Sequence, residues 1–335
     1  MAKLAFFELE GWEKEYFRRR LKGHSLIFID GPVSQKTLPK AKGASVLSVF
    51  IYSRVGQREI SALPGLKLVA TRSTGFDHIA VSECKKSGVS ACNVPEYGSE
   101  TVAEHAMALM LSLAKKIPQS MERTRRGDFT LSGLRTFDLE GKTVGIVGLG
   151  RIGSHFARMA RSFGMNVIAY SPHTKASEAK KIGCALVGMG RLLEKSDVVS
   201  LHCPLNKDTK YLISGKTLSK MKDGALLINT ARGGLVDARA LIAALDSGKL
   251  SGAGLDVLEE ECGIKEERQL LAPDFAGECN LRTVLANHIL LNHPKVIITP
   301  HNAFNSSEAL HRILETTAEN IEAFLSGKPQ NIVGG

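Results

Sequence analysis

Three charged residues, Arg232, Glu261 and His301, each follow a short apolar run that is typical of a buried β-strand. The planar guanidinium of an arginine fits a carboxylate and can polarise a carbonyl. A histidine can accept a hydroxyl proton near neutral pH, and a glutamate beside it would hold the ring and favour its protonated form. These residue types together predict the oxidation of an alcohol that lies next to a carboxylate, with a bound cofactor supplying the redox chemistry.

Each of the three residues also has a purely structural interpretation. A single arginine or histidine in a loop is usually a surface or core residue, and the three glutamates at 259–261 would also suit a solvated acidic face. However, the carboxyl ends of parallel strands meet at one edge of a sheet, so the three residues would share an edge. That common position favours the catalytic interpretation.

A glycine-rich turn predicts the cofactor. The segment 143–153 carries an apolar run straight into Gly148, Gly150 and Gly153 with the spacing G-x-G-x-x-G, and a helical pattern follows over 154–163. The first glycine permits a tight turn, the second lets the backbone approach a pyrophosphate, and the third lets the helix pack on the strand. A structural turn is the alternative, but the strand before it and the helix after it favour a dinucleotide site.

The elements that must position these residues alternate along the chain. Amphipathic helices are predicted over about 99–116, with Ser99 as N-cap and Pro118 ending the pattern, and over about 308–325. The predicted strands are 3–7, 26–29, 46–51, 66–71, 143–147, 167–170, 198–201, 225–229, 252–257 and 296–298. Strands that alternate with helices predict parallel sheets covered by helices, and 335 residues suffice for two domains.

The composition bounds the class of protein. Hydrophobic residues make up 43% of the chain, and no apolar run reaches the roughly 20 residues that span a bilayer. The first twenty residues lack the pattern of a signal peptide, so we expect a cytoplasmic protein. The net charge of +10 comes from dispersed basic residues, which suits solubility or small anionic ligands and predicts no nucleic-acid partner.

The cysteines show no pattern of a metal site. None of them forms a C-x-x-C pair, so we expect reduced thiols and no bound metal. The six are Cys84, Cys92, Cys184, Cys203, Cys262 and Cys279.

At its motifs the sequence resembles the D-isomer-specific 2-hydroxyacid dehydrogenases, and within them the D-lactate dehydrogenase-like group. The resemblance is clearest over 66–325. Besides the glycine turn, it rests on T-R-S-T-G-F-D at 71–77, N-V-P at 93–95, T-V-A-E-H at 101–105, L-H-C-P-L at 201–205, N-T-A-R-G at 229–233, G-L-D-V at 254–257 and T-P-H at 299–301.

The resemblance implies a role for each matching residue. Arg232 would bind the substrate, His301 would be the acid/base, and Glu261 would be its carboxylate partner. The N–H groups of Thr74 and Gly75 would hold the substrate carboxylate. Tyr97, Phe304 and, more weakly, Tyr52 would line the substrate pocket, although Tyr52 would equally suit the end of a strand packed on the core. The cofactor site would comprise Gly148, Gly150, Arg151, Ile152, Gly153, Ser171, His173, Cys203, Pro204, Thr230, Ala231 and Asp256.

The resemblance also implies the domain organisation. Two Rossmann-like or flavodoxin-like α/β domains with parallel sheets are expected, with the active-site cleft between them. Residues 1–101 and 302–335 would form the substrate-binding domain, and residues 102–301 the dinucleotide-binding domain. The helix from Ser99 resembles the one that forms the homodimer usual in this family.

The residue at the end of the second strand of the dinucleotide fold bears on cofactor choice. An NAD-type fold usually has an acidic residue there, about 20 residues past the glycine turn. Here Ser171 follows Gly153 by eighteen residues, with His173 and Lys175 close in sequence. A serine does not repel a 2′-phosphate, so the cofactor is expected to be NAD or NADP with a slight lean to NADP. Alternatively, Ser171 is a neutral turn residue before Pro172 and NAD binds through other contacts.

The resemblance favours pyruvate and D-lactate as the substrate pair. Glycerate with hydroxypyruvate, or phosphite, is the alternative among oxidoreductases. A non-catalytic regulator that senses dinucleotide, similar to the C-terminal-binding-protein corepressors, is the alternative from another class. The presence of Arg232, Glu261 and His301 together favours an enzyme, although those corepressors keep similar residues.

Overall fold

The computed structural model describes residues 1–259 and 280–334 of the chain. The chain divides into two compact units: unit 1 is Met1–Gly98 with Asn305–Gly335, and unit 2 is Ser99–Phe304. The division therefore falls three residues from each of the two positions expected from the sequence, at 101 and 301. No helix within the described residues is long and apolar enough to span a membrane.

Unit 1 is built on a parallel sheet with the strand order β2-β1-β3-β4-β5. Its strands are β1 (Lys3–Phe7), β2 (Ser25–Ile29), β3 (Val46–Val49), β4 (Leu68–Thr71) and β5 (Ser90–Cys92). Its α-helices are α1 (Gly11–Arg20), α2 (Gln57–Ser61), α3 (Val81–Lys86) and α12 (Ser307–Leu325), and a 3-10 turn covers Leu38–Ala41. Every residue of β3 and β4 is buried, as in a sheet that helices cover on both faces.

Unit 2 contains a parallel sheet with the strand order β12-β11-β10-β9-β6-β7-β8. The strands are β6 (Thr143–Val147), β7 (Asn166–Tyr170), β8 (Ala185–Leu186), β9 (Val198–Leu201), β10 (Ala225–Asn229), β11 (Leu250–Leu255) and β12 (Val296–Ile298). The α-helices are α4 (Ser99–Ala114), α5 (Ile117–Arg125), α6 (Arg151–Ser162), α7 (Ala176–Ile182), α8 (Met189–Lys195), α9 (Gly215–Leu218), α10 (Ala238–Asp246) and α11 (Leu281–Leu291), with a 3-10 turn over Gly233–Leu235.

The prediction of two α/β domains with parallel sheets is confirmed. The apolar runs of the central strands explain it, because all residues of β9 and β10 are buried between helices. The sequence did not predict β5 and β8, which have three and two residues and are too short to show a period.

Several boundaries differ from the prediction for local reasons. Ser99 is the first residue of α4 rather than the residue before it. The helix ends at Ala114, and Lys116 then adopts a left-handed conformation with φ 48°. Pro118 lies in the first turn of α5, where its missing N–H needs no partner, so it begins a helix instead of ending one.

Candidate active site

The turn after β6 is closed by backbone packing at its first and third glycines. Gly148 has φ +97°, a conformation that side chains disfavour. A Cβ atom on Gly148 would lie 2.8 Å from the backbone nitrogen of Cys203, and one on Gly153 would overlap the carbonyl oxygen of Gly148. In contrast, a Cβ on Gly150 would have no atom of the described residues within 4 Å apart from its chain neighbours and its own helix. The turn is therefore tight at both ends and open at its middle glycine.

This opening lies at the N-terminus of α6. Gly150 is the N-cap residue, and Arg151 and Ile152 form the first turn. The first N–H groups of a helix have no acceptor within it, and together with the helix dipole they favour a bound anion. Within the described part of the chain, the buried hydroxyl oxygen of Thr230 has no hydrogen-bond partner either. The open space, the helix N-terminus and this buried hydroxyl fit a dinucleotide.

The end of β7 carries hydroxyl groups and positive charge. The Oγ atom of Ser171 lies 2.8 Å from Oγ1 of Thr174, and either atom can donate to the other. His173 and Lys175 are exposed on the same turn. Residues 171–175 contain no carboxylate, so nothing within this turn repels a phosphate group.

The end of β9 presents neutral groups next to the glycine turn. Nε2 of His202 lies 2.8 Å from the hydroxyl oxygen of Ser200, and its ring centroid is 5.1 Å from that of Phe156. Burial lowers the pKa of His202 to about 3 and raises the pKa of the Cys203 thiol to about 11, so both side chains are neutral near pH 7. Pro204 follows and is exposed.

The loop that carries Arg232 is fixed by the last residue of β10. Asn229, which is 1% exposed, accepts a hydrogen bond from the N–H of Ala231 at 3.0 Å and donates one to the carbonyl of Arg232 at 2.9 Å. The Arg232 guanidinium donates to the carbonyl of Ala231 at 2.7 Å. A Cβ on Gly233 would overlap the backbone of Leu258, so this loop packs directly on the chain that follows β11.

His301 follows β12 in a left-handed conformation, with φ 53°. Its backbone N–H donates to the carbonyl of Thr299 at 2.9 Å. Histidine occupies this region more readily than most residues, but the conformation still costs about 1–2 kcal/mol, which contacts with neighbours must offset. The neighbours that hold the loop are the groups around Asp256.

Asp256 binds the His301 loop through both of its carboxylate oxygens. They accept hydrogen bonds from the hydroxyl of Thr299 at 2.6 Å and from the N–H groups of Asn302 and Ala303 at 3.0 and 2.9 Å. Nε2 of His105, on α4, lies 3.0 Å from the Thr299 hydroxyl. The sequence assigned Asp256 to the cofactor site; in the structure its carboxylate is 1% exposed and accepts hydrogen bonds from this loop. β11 ends at Leu255, two residues earlier than predicted.

The sheet topology brings Arg232 and His301 to the edge of the sheet that also carries the glycine turn. β6, β10 and β12 are parallel members of one sheet, so Gly148, Arg232 and His301 all follow carboxyl ends at the same edge. Glu261 lies outside the described residues. The acidic residue closest to Glu261 in the described sequence is Glu259, whose carboxylate accepts a hydrogen bond from the Tyr211 hydroxyl.

In unit 1, two backbone N–H groups are presented by the turn after β4. The Thr74 hydroxyl donates to the carbonyl of Val94 at 2.8 Å, and Asn93 donates to the carbonyl of Thr74 at 2.7 Å. Among the described residues, the N–H groups of Thr74 and Gly75 have no acceptor. The hydrogen bonds to Val94 and Asn93 therefore fix the turn, and the two backbone N–H groups can donate to a ligand.

The three aromatic residues predicted to line the pocket differ in exposure and in unit. Tyr52 is 66% exposed on the loop after β3 in unit 1. Tyr97 is half-buried in unit 1, and its carbonyl accepts a hydrogen bond from Arg312 at 2.6 Å. Phe304 is half-buried at the end of unit 2.

The sequence reasoning missed three residues that hold the charged groups in place. They are Asn229, Thr299 and His105, which lie within quoted motifs but were given no role. A polar residue at the end of an otherwise apolar strand was the available signal for Asn229 and Thr299. His105 had no such signal, because its contact joins residues 194 positions apart.

These features define a dinucleotide-dependent oxidoreductase with two parallel-sheet units. Residues 107–303 match the family model for the NAD-binding domain of D-isomer-specific 2-hydroxyacid dehydrogenases. The chain belongs to the D-isomer-specific 2-hydroxyacid dehydrogenase family. It is an NAD(P)-dependent enzyme of the dehydrogenase class.

The proteins that this chain is similar to include D-lactate dehydrogenases. The chain is 33% identical to that of Escherichia coli over 330 residues, which cover 97% of this chain and 98% of the relative. It superposes on the Aquifex aeolicus enzyme complexed with NAD and lactic acid with a TM-score of 0.87, at 37% identity and 99% coverage of both chains.

A relative with a different named substrate is about as similar. The glycerate dehydrogenase of Methylorubrum extorquens is 37% identical over 280 residues, covering 82% of this chain and 81% of the relative. Overall similarity therefore shows the family but does not distinguish between these substrates.

Proposed function

We propose that this enzyme reduces a small 2-oxo acid to the D-2-hydroxy acid with NAD(P)H, and that pyruvate and D-lactate are its main substrate pair. The observation that carries the proposal is the placement of Arg232 and His301 on the sheet edge that holds the glycine turn. Ligands of open parallel sheets bind at that edge. It therefore combines a carboxylate-binding group, an acid/base and a dinucleotide cradle.

Each residue has a defined role in the proposed reaction. Arg232 binds the substrate carboxylate and polarises the adjacent carbonyl through its fork of donors. The N–H groups of Thr74 and Gly75, in unit 1, are proposed to donate hydrogen bonds to a substrate carboxylate. His301 donates a proton to the carbonyl oxygen in reduction and accepts it back in oxidation, and Glu261 favours the protonated ring. The bound nicotinamide supplies the hydride.

The substrate preference rests on aromatic residues. Tyr97, Phe304 and Tyr52 would present apolar surface to the substrate side chain, which suits a methyl group better than a hydroxymethyl group. The similarity to D-lactate dehydrogenases, one of them complexed with lactic acid, supports the same pair. Glycerate/hydroxypyruvate and phosphite are the competing substrates.

Cofactor choice is proposed to lean slightly to NADPH. The turn after β7 offers a serine hydroxyl bonded to Thr174, with His173 and Lys175 exposed beside it. A 2′-phosphate would meet hydrogen-bond donors and positive charge there. Because specificity often depends on a repulsive group, the missing carboxylate removes the usual barrier against NADPH.

We also propose that the enzyme is a homodimer formed through unit 2. Large apolar side chains are exposed around α5 and the segment after it: Ile117 is 46%, Met121 48%, Phe129 78% and Leu131 83% exposed. Exposed apolar clusters of this kind mark protein interfaces. The resemblance of α4, which precedes them, to the dimer helix of the family points to a second copy as the partner.

The test is the rate of NADH and NADPH oxidation with a panel of acids. Pyruvate, 2-oxobutyrate, 4-methyl-2-oxopentanoate, glyoxylate and hydroxypyruvate are assayed for reduction, and phosphite is assayed for oxidation with NAD and NADP. Chiral analysis of the product from pyruvate should show D-lactate only. A higher kcat/KM with hydroxypyruvate or phosphite would overturn the substrate assignment. Tight dinucleotide binding without turnover of any acid would show a sensor instead.

A further inference from the structure

Glu8, the first residue after β1, connects two neighbouring loops of unit 1. Its carboxylate accepts hydrogen bonds from the backbone N–H groups of Phe50 and Tyr52 at 2.8 and 3.1 Å, and from the hydroxyl of Ser53 at 2.6 Å. All three donors belong to the loop that follows β3, the neighbour of β1 in the sheet. We call residues 50–53 the Tyr52 loop. One carboxylate thus fixes three points of this loop.

Glu8 itself is held by a buried arginine. Arg72, the first residue after β4, is 2% exposed and donates to the carbonyls of Phe7 and Glu8 at 2.6 and 2.9 Å. It also donates to the Ser48 hydroxyl at 3.0 Å. Burial lowers the pKa of Arg72 to about 10, which still leaves it charged near pH 7. The positive charge of Arg72 is therefore in direct contact with the backbone of Glu8, the residue that binds the Tyr52 loop.

The backbone of Glu8 adopts φ 57°, a left-handed conformation that is unfavourable for a residue with a Cβ. Strain of this kind persists only where surrounding contacts impose it, and it concentrates at functional sites. Here the conformation lets the carbonyl of Glu8 reach Arg72 while its side chain reaches the Tyr52 loop. A glycine would relieve the strain but would lose the carboxylate.

The loop carries two aromatic rings. The ring centroids of Phe50 and Tyr52 are 6.1 Å apart in an edge-to-face arrangement, and the Arg72 guanidinium lies 5.9 Å from the Phe50 centroid. Ser53 is fully buried, and its hydroxyl also accepts a hydrogen bond from the N–H of Val33 at 2.9 Å. The base of the loop is thus buried and bonded, whereas Tyr52 is 66% exposed.

We propose that Glu8 is a positioning residue for substrate specificity: its carboxylate holds the Tyr52 loop so that Tyr52 limits the length of the side chain that the 2-oxo acid can carry. The inference rests on the proposed function, because it assigns Tyr52 to the substrate pocket. Three hydrogen bonds to a charged acceptor give the loop one position, and a wall discriminates by size only when its position is fixed.

The test compares Glu8→Gln with wild type on pyruvate and 4-methyl-2-oxopentanoate. A glutamine places an NH2 group where the loop offers only donors, so the loop should lose its fixed position. We expect the ratio of kcat/KM for pyruvate over that for the longer acid to fall at least about fivefold, since pocket fit discriminates about 10- to 200-fold per methylene. The affinity for NADH, measured by fluorescence titration, should stay unchanged. Glu15→Gln, an exposed carboxylate on α1, is the matched control.

A double-mutant cycle separates positioning from general damage. Tyr52→Ala alone should shift the ratio in the same direction, and adding Glu8→Gln to it should shift the ratio no further. If Glu8→Gln lowered kcat/KM equally for both acids, or shifted the ratio as much without Tyr52 as with it, the inference would be wrong. Ser53→Ala, which removes one donor and keeps the charge, should give a smaller shift and serves if Glu8→Gln does not fold.

The failure of this inference differs from the failure of the proposed function. A wild-type enzyme that reduces no 2-oxo acid contradicts the proposed function. A wild-type enzyme that reduces pyruvate, with a selectivity ratio that Glu8→Gln leaves unchanged, contradicts only the role of Glu8.

Discussion

At the scale of single residues, Arg232 and His301 depend on neighbours that take no part in the proposed chemistry. Asn229 folds the Arg232 loop through hydrogen bonds to its backbone, and Asp256 holds the His301 loop through both carboxylate oxygens. A catalytic group must be held within about 0.5 Å of its working position. The supporting residues are therefore as necessary as the two that they position.

His301→Ala should lower kcat for pyruvate reduction by at least roughly 10²-fold, because the substitution removes the proposed acid/base. The dissociation constant of NADH, measured by fluorescence titration, should change little. The control is His311→Ala, which removes an exposed histidine on α12. A kcat within a few-fold of wild type would mean that another group transfers the proton.

Arg232→Lys keeps the positive charge but loses the bidentate fork. We expect a higher KM for pyruvate and a kcat/KM that is lower by about 10- to 100-fold, which corresponds to the loss of one charge-assisted hydrogen bond or two. Steady-state kinetics with pyruvate measure both constants. Arg239→Lys, at an exposed position on α10, should match wild type. Unchanged constants in Arg232→Lys would place the carboxylate elsewhere.

At this scale the residue types predicted the chemistry, but not the contacts that organise it. The edge shared by Arg232 and His301 followed from strand order and the parallel arrangement, which apolar runs encode well. The role of Asp256 did not follow, because it depends on β11 ending at Leu255 and on a hydrogen bond to residues more than forty positions away. Sequence patterns report spacing along the chain and carry no information about such contacts.

At the scale of elements, the ends of β7 and β9 define the surroundings of the glycine turn. β7 is followed by hydroxyl groups and positive charge, and β9 is followed by a neutral, half-buried histidine. The predicted strands matched these two elements to within one residue, since their apolar runs are clear. The strand ends were less predictable, because turns depend on single side-chain contacts such as that between Ser171 and Thr174.

Ser171→Asp should move cofactor preference toward NADH. A carboxylate at the end of β7 would repel a 2′-phosphate and accept hydrogen bonds from ribose hydroxyls. The ratio of kcat/KM for NADPH over NADH should fall about 10- to 100-fold, equivalent to roughly 1–3 kcal/mol. Ser219→Asp adds the same charge at an exposed position of unit 2 and should leave the ratio unchanged. A wild type without NADPH activity would refute the lean to NADP.

His202 should make the stability of the enzyme depend on pH. Burial lowers its pKa in the folded protein from 6.5 to about 3. Between these values the unfolded chain binds a proton that the folded chain does not. The His202 contribution is therefore complete above about pH 6.5 and falls by at most about 1.4 kcal/mol per pH unit as the pH decreases toward 3.

Urea unfolding at several pH values between 7.5 and 5 measures this effect. His202→Gln should lose less unfolding free energy than wild type over that range, although it is less stable at pH 7.5 because the contact with Ser200 is altered. His311→Gln should keep the wild-type slope, because its side chain is exposed. Equal slopes in wild type and His202→Gln would show that folding does not lower the pKa of this ring.

At the scale of the whole molecule, the chain forms one compact unit, then a second, and returns to the first. Unit 1 gains its last helix, α12, from a segment more than two hundred residues away in sequence. The apolar pattern of that helix was visible in the sequence, but the unit in which the helix packs was not. The family resemblance supplied the return of the chain, because periodicity defines which face of a helix is apolar and not what covers it.

Phe129→Asp and Leu131→Asp should weaken the proposed homodimer. A charge in an apolar interface leaves an unpaired buried group, which costs several kcal/mol in most contexts. Analytical ultracentrifugation should show a dimer for wild type and an increased monomer fraction for each variant. Phe163→Asp, at a 45% exposed site after α6, is the control. A monomeric wild type would refute the dimer, and a dimer unaffected by either change would place its interface elsewhere.

Gly153 and Gly233, whose α-carbons lie directly against other backbone atoms, limit the mutations that the gene can tolerate. All glycine codons have the form GGN, and every single-base missense change in them encodes a residue with a Cβ. A Cβ on Gly153 would overlap the Gly148 carbonyl, and one on Gly233 would overlap the backbone of Leu258. Backbone atoms cannot rotate away as a side chain does. We therefore expect no functional missense allele one mutational step away at either codon, whereas the open position at Gly150 should accept alanine without loss of folding.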